Sequence, residues 1–216
     1  MKKNPVGRPK KLNRQHIINV AFDQYWLHGI NNVSLSTIAK LANVSRPGIY
    51  VEFGGEDALQ AEVIKKYIKV SADPVHNSYN DYENFPDQLF NHMDGIINDG
   101  NPYVTNDKNY FKQRPKGAKG CLVQISTLNK HTLGPVSKKL INDYEQIRIN
   151  QFEKYINNAK TDGVMHKNID ANLYAKYILA QFSLIQTLKL QNISKSKITS
   201  VINIALKPLL QKNKQI

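Results

Sequence analysis

Only one cysteine, Cys121, occurs in the 216 residues, so no intrachain disulfide can form, and the chain fits a reducing compartment. No apolar run approaches the ~18 residues that a membrane-crossing helix needs, and the basic N-terminus MKKNPVGRPKK has no apolar segment behind it of the kind a secretory leader carries. A cytoplasmic protein is expected. The six histidines (16, 28, 76, 92, 131 and 166) have no metal-ligand spacing, no glycine-rich phosphate loop follows a strand pattern, and no serine or cysteine nucleophile motif occurs. The expectation is therefore no cofactor, no metal and no enzyme activity. The length is nonetheless enough for one or two domains burying roughly 70% of their unfolded surface.

Acid is also scarce where the chain begins. Residues 1–51 hold eight Lys/Arg against one Asp, a balance of +7; residues 52–100 hold three against ten, −7; residues 101–216 hold nineteen against six, +13. The first block suits contact with phosphates, because each one neutralised releases counterions. The last reads as a lysine-rich helical surface, with an anionic effector or added steering toward DNA as the alternatives.

What is present is organised around Ser34–Leu59. Leu35, Ile38, Ala39, Val44, Ile49, Tyr50 and Phe53 supply an apolar seam for two short helices, with Ser34 and Ser45 as N-caps. Asn43 sits in the turn, where its tolerance of left-handed angles is useful. Pro47 falls in the first turn of the second helix, where no intrahelical N–H is lost. This spacing predicts a helix-turn-helix. A preceding helix, capped by Asn13 and ended by Gly29, turns Ile17, Ile18, Ala21, Phe22 and Tyr25 to one side, with Trp26 at its junction with the reader.

These residues resemble the TetR family of transcriptional repressors: Ile38-Ala39, Ala42-Asn43-Val44-Ser45, Ile49-Tyr50, Phe53 and Asp57-Ala58-Leu59 follow its signature, and Ala21-Phe22 with His28-Gly29-Ile30 resemble its first helix and exit. The resemblance implies an all-α chain with an N-terminal three-helix helix-turn-helix DNA-binding domain and a C-terminal helical ligand-binding and dimerisation domain. The divisions expected are 1–12, a flexible basic arm; 13–55, the reader; and 56–216, the sensor. By resemblance Arg46, Pro47 and Gly48 read base edges after the capping Ser45, Tyr50 holds a phosphate, and Ser34, Ser36 and Thr37 meet the DNA backbone. Gly48 leaves that surface unusually bare. Arg46 has a fork able to bond O6 and N7 of guanine. Gly7-Arg8-Pro9 with Lys10 and Lys11 resembles the core of an AT-hook, which lays Arg into the narrow minor groove of A·T-rich DNA. Two positions depart from the pattern: Glu52 stands where His is frequent, and Glu56 where Lys is nearly the rule.

Further along, helices are expected over 56–72, 86–98, 121–128, 135–159, from Asp170 through Leu188, and from Ser194 to the end, whereas residues 98–120 give no clean pattern. On the long helix Val136, Leu140, Tyr144, Ile147, Phe152, Tyr155 and Ile156 are expected to face inward. The Asp170 helix, with Leu173, Tyr177, Ile178, Leu179, Phe182, Leu184, Ile185 and Leu188, is apolar nearly all round and should be buried on both faces. By resemblance the last two helices form a four-helix bundle with a second copy, through Phe182, Ile185, Leu188, Ile198, Val201, Ile202, Ala205 and Leu209. A pocket for a mostly apolar small-molecule effector is expected among Phe90, Met93, Ile97, Cys121, Ile125, Tyr144, Tyr177 and Gln181. Cys121, at the Gly-Cys-Leu position, is either structural or an electrophile-sensing thiol activated by Lys119 and the helix start. The function expected is a sequence-specific, homodimeric, effector-released repressor on a pseudo-palindromic operator with A·T-rich flanks; the alternative is a non-specific, nucleoid-type DNA-binding protein without an effector.

Overall fold

Asn13 opens the first helix, α1 (Arg14–His28), its side chain accepting from the His16 N–H at 3.0 Å, and Gly29 closes it at φ +86°. The computed structural model describes residues 12–73, 86–98, 115–118 and 120–210. The expected arm is thus outside the described residues save for Leu12. So are the polar segment 74–85 and nearly all of the stretch that gave no clean pattern.

Ser34 caps α2 (Leu35–Leu41) by accepting from Thr37 N–H, and Ser45 caps α3 (Arg46–Phe53) by accepting from Gly48 N–H, both at 3.1 Å. Each cap is worth about 1 kcal/mol. Between them Asn43 adopts φ +54°, the left-handed turn expected of it. After α3 come α4 (Glu56–Tyr67), running into one π-helical turn (Ile68–Ala72), then α5 (Asp87–Ile97), α6 (Leu122–Leu128), α7 (Pro135–Thr161), α8 (Ala171–Leu190) and α9 (Lys195–Leu206). Among the described residues the only non-helical pairing is an isolated antiparallel bridge between Met165 and Leu210.

Two apolar cores run through this bundle. The first joins Ile17, Phe22, Ile38 and Ile49 of the reader to Leu59 and Ile64 of α4 and onward to Leu122, Ile141 and Tyr144. The packing therefore runs unbroken past residue 55, the expected boundary between reader and sensor. Trp26 lies at this crossing. Its indole meets Tyr67 edge-on with ring centroids 4.7 Å apart, and its Nε1–H donates to Gly120 O at 3.2 Å. The second core holds Met93 and Ile97 of α5, Phe152 and Ile156 of α7, Ile178, Phe182 and Ile185 of α8, and Ile198 and Ile202 of α9.

Those burials correct the expected dimer surface. Phe182, Ile185, Ile198 and Ile202 are enclosed within a single chain and have no side chain left to offer a second copy. Leu188 and Ala205 are half-buried and Val201 exposed; the Leu209 side chain is outside the described residues. Nor is α8 buried on both faces. Leu173 is 60% exposed, and with Tyr177 and Ala180 it lines an open face. On α7, Val136 and Ile147 also point outward, because 27 helical residues carry a straight inward stripe past positions that a looser apolar pattern includes.

The lower core encloses one titratable group. His92 of α5 lies 5.0 Å from the Phe182 ring, fully buried, and burial, aided by the Arg148 charge, brings its pKa down from 6.5 to about 3. It is neutral in the fold throughout the ordinary range.

The joint between reader and bundle is made by Asp57. From the first turn of α4 its carboxylate accepts from the N–H groups of Val136, at 2.8 Å, and Ser137, at 2.9 Å, while Ser137 Oγ donates to Asp57 O at 3.0 Å. The start of α7 has no capping side chain of its own; Gly134 occupies that position. Asp57 supplies the missing cap from 79 residues away, where a carboxylate also complements the helix dipole. Gly134 is glycine for the same reason, since a Cβ there would overlap the Asp57 carboxylate.

Gly134→Ala should therefore displace Asp57 and cost about 1–3 kcal/mol, read as a fall of several degrees in Tm by calorimetry; an unchanged Tm would mean that the cap contributes nothing to stability. The unfolded chain protonates His92 near pH 6.5 and the folded chain only near pH 3, so the neutral form's stability is complete above pH 6.5 and drains away as pH falls. The loss by pH 4 should be about 3 kcal/mol, and His92→Gln should flatten that part of the pH-stability curve in urea titrations at pH 7, 5.5 and 4.

Candidate DNA-binding face and cavity

The helix-turn-helix buries Leu35, Ile38, Ala39, Ile49 and Phe53 and leaves Ser34, Ser36, Thr37, Ser45, Arg46, Pro47 and Tyr50 exposed on its outer side. Of the helix-turn-helix residues expected to meet DNA, all but Gly48 are thus accessible. Tyr50 was also expected in the apolar seam; it is on the surface instead, with the Arg46 guanidinium 5.8 Å from its ring centroid. One helical turn separates the two, so the ring steadies the cation. The first N–H groups of α2 and the hydroxyls of Ser34 and Thr37, 2.9 Å apart, present the donor set that suits a phosphate.

Gly48 leaves the surface without a side chain and also makes room for a neighbour. It is half-buried, and a Cβ there would come within 3.0 Å of both Leu12 Cδ1 and Ser45 Oγ. The missing side chain leaves room for Leu12, the first described residue. Arg8, Lys10 and Lys11 are outside the described residues. Sequence reasoning passed over Val51, 89% exposed one turn beyond Pro47, although that spacing was a usable signal. It also passed over Lys40, exposed in the last turn of α2.

The two departures from the family pattern have local explanations. Glu52 pairs with Arg14 at 3.5 Å, and Arg14 also donates to Glu52 O at 2.9 Å, pairs with Glu62 at 3.5 Å and stacks over Phe53 at 4.3 Å. Each exposed ion pair is worth at most about 1 kcal/mol; together they orient α3 against α1 and α4. Glu56 is half-buried near Tyr25. Burial, with the Glu56 charge as the lesser cause, pushes the Tyr25 hydroxyl well above its ordinary range.

In the bundle, a cavity of about 180 Å³ lies between α6, α7 and α8. Val123, Ile149, Leu179 and Ala180 give it apolar walls; Gln124, Thr127, Tyr144 and Ser183 add polar groups, with Gln124 bonded to Ser183. Three charged residues complete it: Glu145, Arg148 and Lys176. Glu145 is engaged by Lys130 at 3.2 Å. The buried Nε–H of Arg148 has no hydrogen-bond acceptor, a state that costs about 1–3 kcal/mol for a neutral donor and more for a charged one.

Of the eight residues expected around an effector, Tyr144 lines this cavity. Met93 and Ile97 are packed into the second core, and Phe90 lies half-buried against it. Tyr177 faces outward, its hydroxyl donating to Ala205 O at 3.0 Å, and Gln181 donates to Tyr177 O at 3.2 Å. Cys121 is half-buried at the N-cap position of α6, beside the first core, and Ile125 is half-buried one turn on. Helical spacing identifies which residues face inward but not which inward face is left unfilled.

No helix among the described residues is long and apolar enough to cross a membrane. Residues 17–63 match the family model described as bacterial regulatory proteins, tetR family. The HTH-type transcriptional repressor ComR of Escherichia coli K12 is 30% identical over 66 residues, 31% of this chain and 31% of that protein's length. Over nearly the whole chain the fold is similar to that of E. coli NemR, with a TM-score of 0.71 at 13% identity, covering 94% of this chain and 98% of the other. It is similar, too, to the TetR family regulator CifR in complex with a 26-bp operator, with a TM-score of 0.67 at 18% identity, covering 94% and 100%. A regulator from Saccharomonospora viridis in complex with choline aligns over 94% of this chain and 100% of its own, with a TM-score of 0.67 at 16% identity. Residues 17–63 thus match the helix-turn-helix segment of the bacterial tetR regulatory proteins, and over nearly its whole length the chain has the fold seen in solved TetR family regulators.

Proposed function

We propose that the chain is a homodimeric repressor that leaves its operator when a small molecule enters the helical domain. The observation that carries the reading is the Asp57 cap. The same helix that Asp57 caps contributes Tyr144, Glu145, Arg148 and Ile149 to the cavity wall. At 1.5 Å per residue α7 is a rod about 40 Å long, so a shift at the cavity is felt at α4 and, through α4, by the reader. Residues 13–55 act as the reader and 56–216 as the sensor.

Dimerisation fits the open face of α8. Leu173, Tyr177 and Ala180 on α8, with Val201 and Ile204 on α9, are exposed in the single chain, Ile204 at 75%. A second copy packed there completes a four-helix bundle and sets two readers one helical turn of DNA apart, as half-sites require. Leu12 lies beside Gly48 of the recognition helix, and the AT-hook-like Gly7-Arg8-Pro9 with Lys10 and Lys11 supports a preference for A·T-rich flanks.

Fluorescence anisotropy on DNA from directly upstream of the chain's own gene, against a composition-matched scramble at two salt concentrations, tests the reading. A preference of about 10³ or more that survives the higher salt is expected. Equal binding to both DNAs, collapsing with salt, would favour the non-specific alternative. In the same assay Glu56→Lys should tighten binding and steepen the salt dependence by about one phosphate's worth; unchanged affinity and slope would place residue 56 away from the DNA backbone.

A further inference from the structure

We infer that the cavity between α6, α7 and α8 takes a compact organic monocarboxylate, with the carboxylate on the Arg148 guanidinium. This deepens the effector-release reading and rests on it. Arg148 forms no ion pair among the described residues, its Nε–H is buried without an acceptor, and its guanidinium is stacked 5.6 Å from the Phe182 centroid, which fixes the direction of its fork. The one acid among the residues lining the cavity is Glu145. Glu145 is taken by Lys130, and His92, which feels the Arg148 charge, is held neutral. Lys176 adds a second cation at the cavity rim.

A planar carboxylate matches the arginine fork through two parallel hydrogen bonds. The walls away from Arg148, made by Val123, Ile149 and Leu179, call for a hydrocarbon portion rather than a bare inorganic anion. Size sets the limit. At about 180 Å³ the cavity is little larger than the ~150 Å³ that holds one benzene ring, so a single ring or a short chain fills it.

Isothermal titration of the full chain with sodium benzoate, benzamide, choline chloride and inorganic phosphate reads charge and shape separately. Benzoate should bind about tenfold or more tightly than benzamide, choline or phosphate. Arg148→Met should lower benzoate affinity by a similar factor and, relieved of a buried unpaired donor, should fold. Lys176→Met, an exposed change, should weaken benzoate severalfold and gives a second reading should the first variant not fold. Benzamide binding as well as benzoate, Arg148→Met binding benzoate like the unaltered chain, or no benzoate binding at millimolar concentration would each overturn the inference. Phosphate binding as tightly as benzoate would overturn its organic part.

Anisotropy of the upstream-DNA complex separates this inference from the reading beneath it. Arg148-dependent benzoate binding that leaves the DNA bound upholds the carboxylate site and removes effector release. DNA release by a neutral compound, with no benzoate binding, does the reverse.

Discussion

A single carboxylate capping a helix that has no cap of its own links the two halves of this molecule. Asp57 is the second residue of α4, and its two oxygens occupy the N–H groups of Val136 and Ser137 at the start of α7. Reader and bundle share an apolar core through Leu59, Ile64 and Tyr144, but apolar contact tolerates sliding, whereas a carboxylate bridging two N–H groups fixes both distance and direction. Gly134 has no side chain because Asp57 occupies the space, and Ser137 returns a hydrogen bond to the Asp57 carbonyl. Trp26, hydrogen-bonded to Gly120 just before α6, makes a second joint. The two constrain the reader through different helices, α4 and α1.

Charge in the reader is arranged around that constraint. Arg14 gathers Glu52 and Glu62 and lies on Phe53, so its charge is spent on holding the reader's helices. Arg46, in no ion pair among the described residues and braced by Tyr50, remains exposed, as do Ser34 and Thr37. Gly48 then has two consequences. It removes a side chain from the recognition surface, and it admits Leu12.

The reader was legible in the sequence because its signals are local. Ser34, Ser45, Asn13 and Asp170 cap the helices they were expected to cap, and Asn43 takes the left-handed turn; each depends on residues three or four positions away. The bundle was less legible because its decisive contacts are distant. The Asp57 cap spans 79 residues, and nothing near Gly134 in the chain indicates where its capping group comes from. The same limit explains the dimer correction. Phe182 and Ile185 are as apolar as Leu173 and Tyr177, and only the packing of α5, α7 and α9 against one side of α8 decides which pair is enclosed. Tyr50 failed differently: its ring fits an apolar seam and its hydroxyl fits a phosphate, and the phase of α3 chose the surface.

Hydrogen-bond geometry gives the link its sensitivity. At 2.8 and 2.9 Å the two bonds from α7 to Asp57 are near their optimum, and a bond stretched to about 3.6 Å no longer counts as one. A shift of under one ångström along α7 is therefore enough to release the cap, while the apolar core around it barely registers the change. Release strands a carboxylate and two helix-terminal N–H groups together, so intermediate positions are unfavourable and the joint favours one arrangement or the other. Arg148 lies twelve residues, a little over three turns, along the same helix from Val136. On the proposed effector-release reading, a group that pulls on its guanidinium acts on the rod whose end Asp57 holds, and that rod is the route by which a small cavity far from the recognition helix bears on DNA binding.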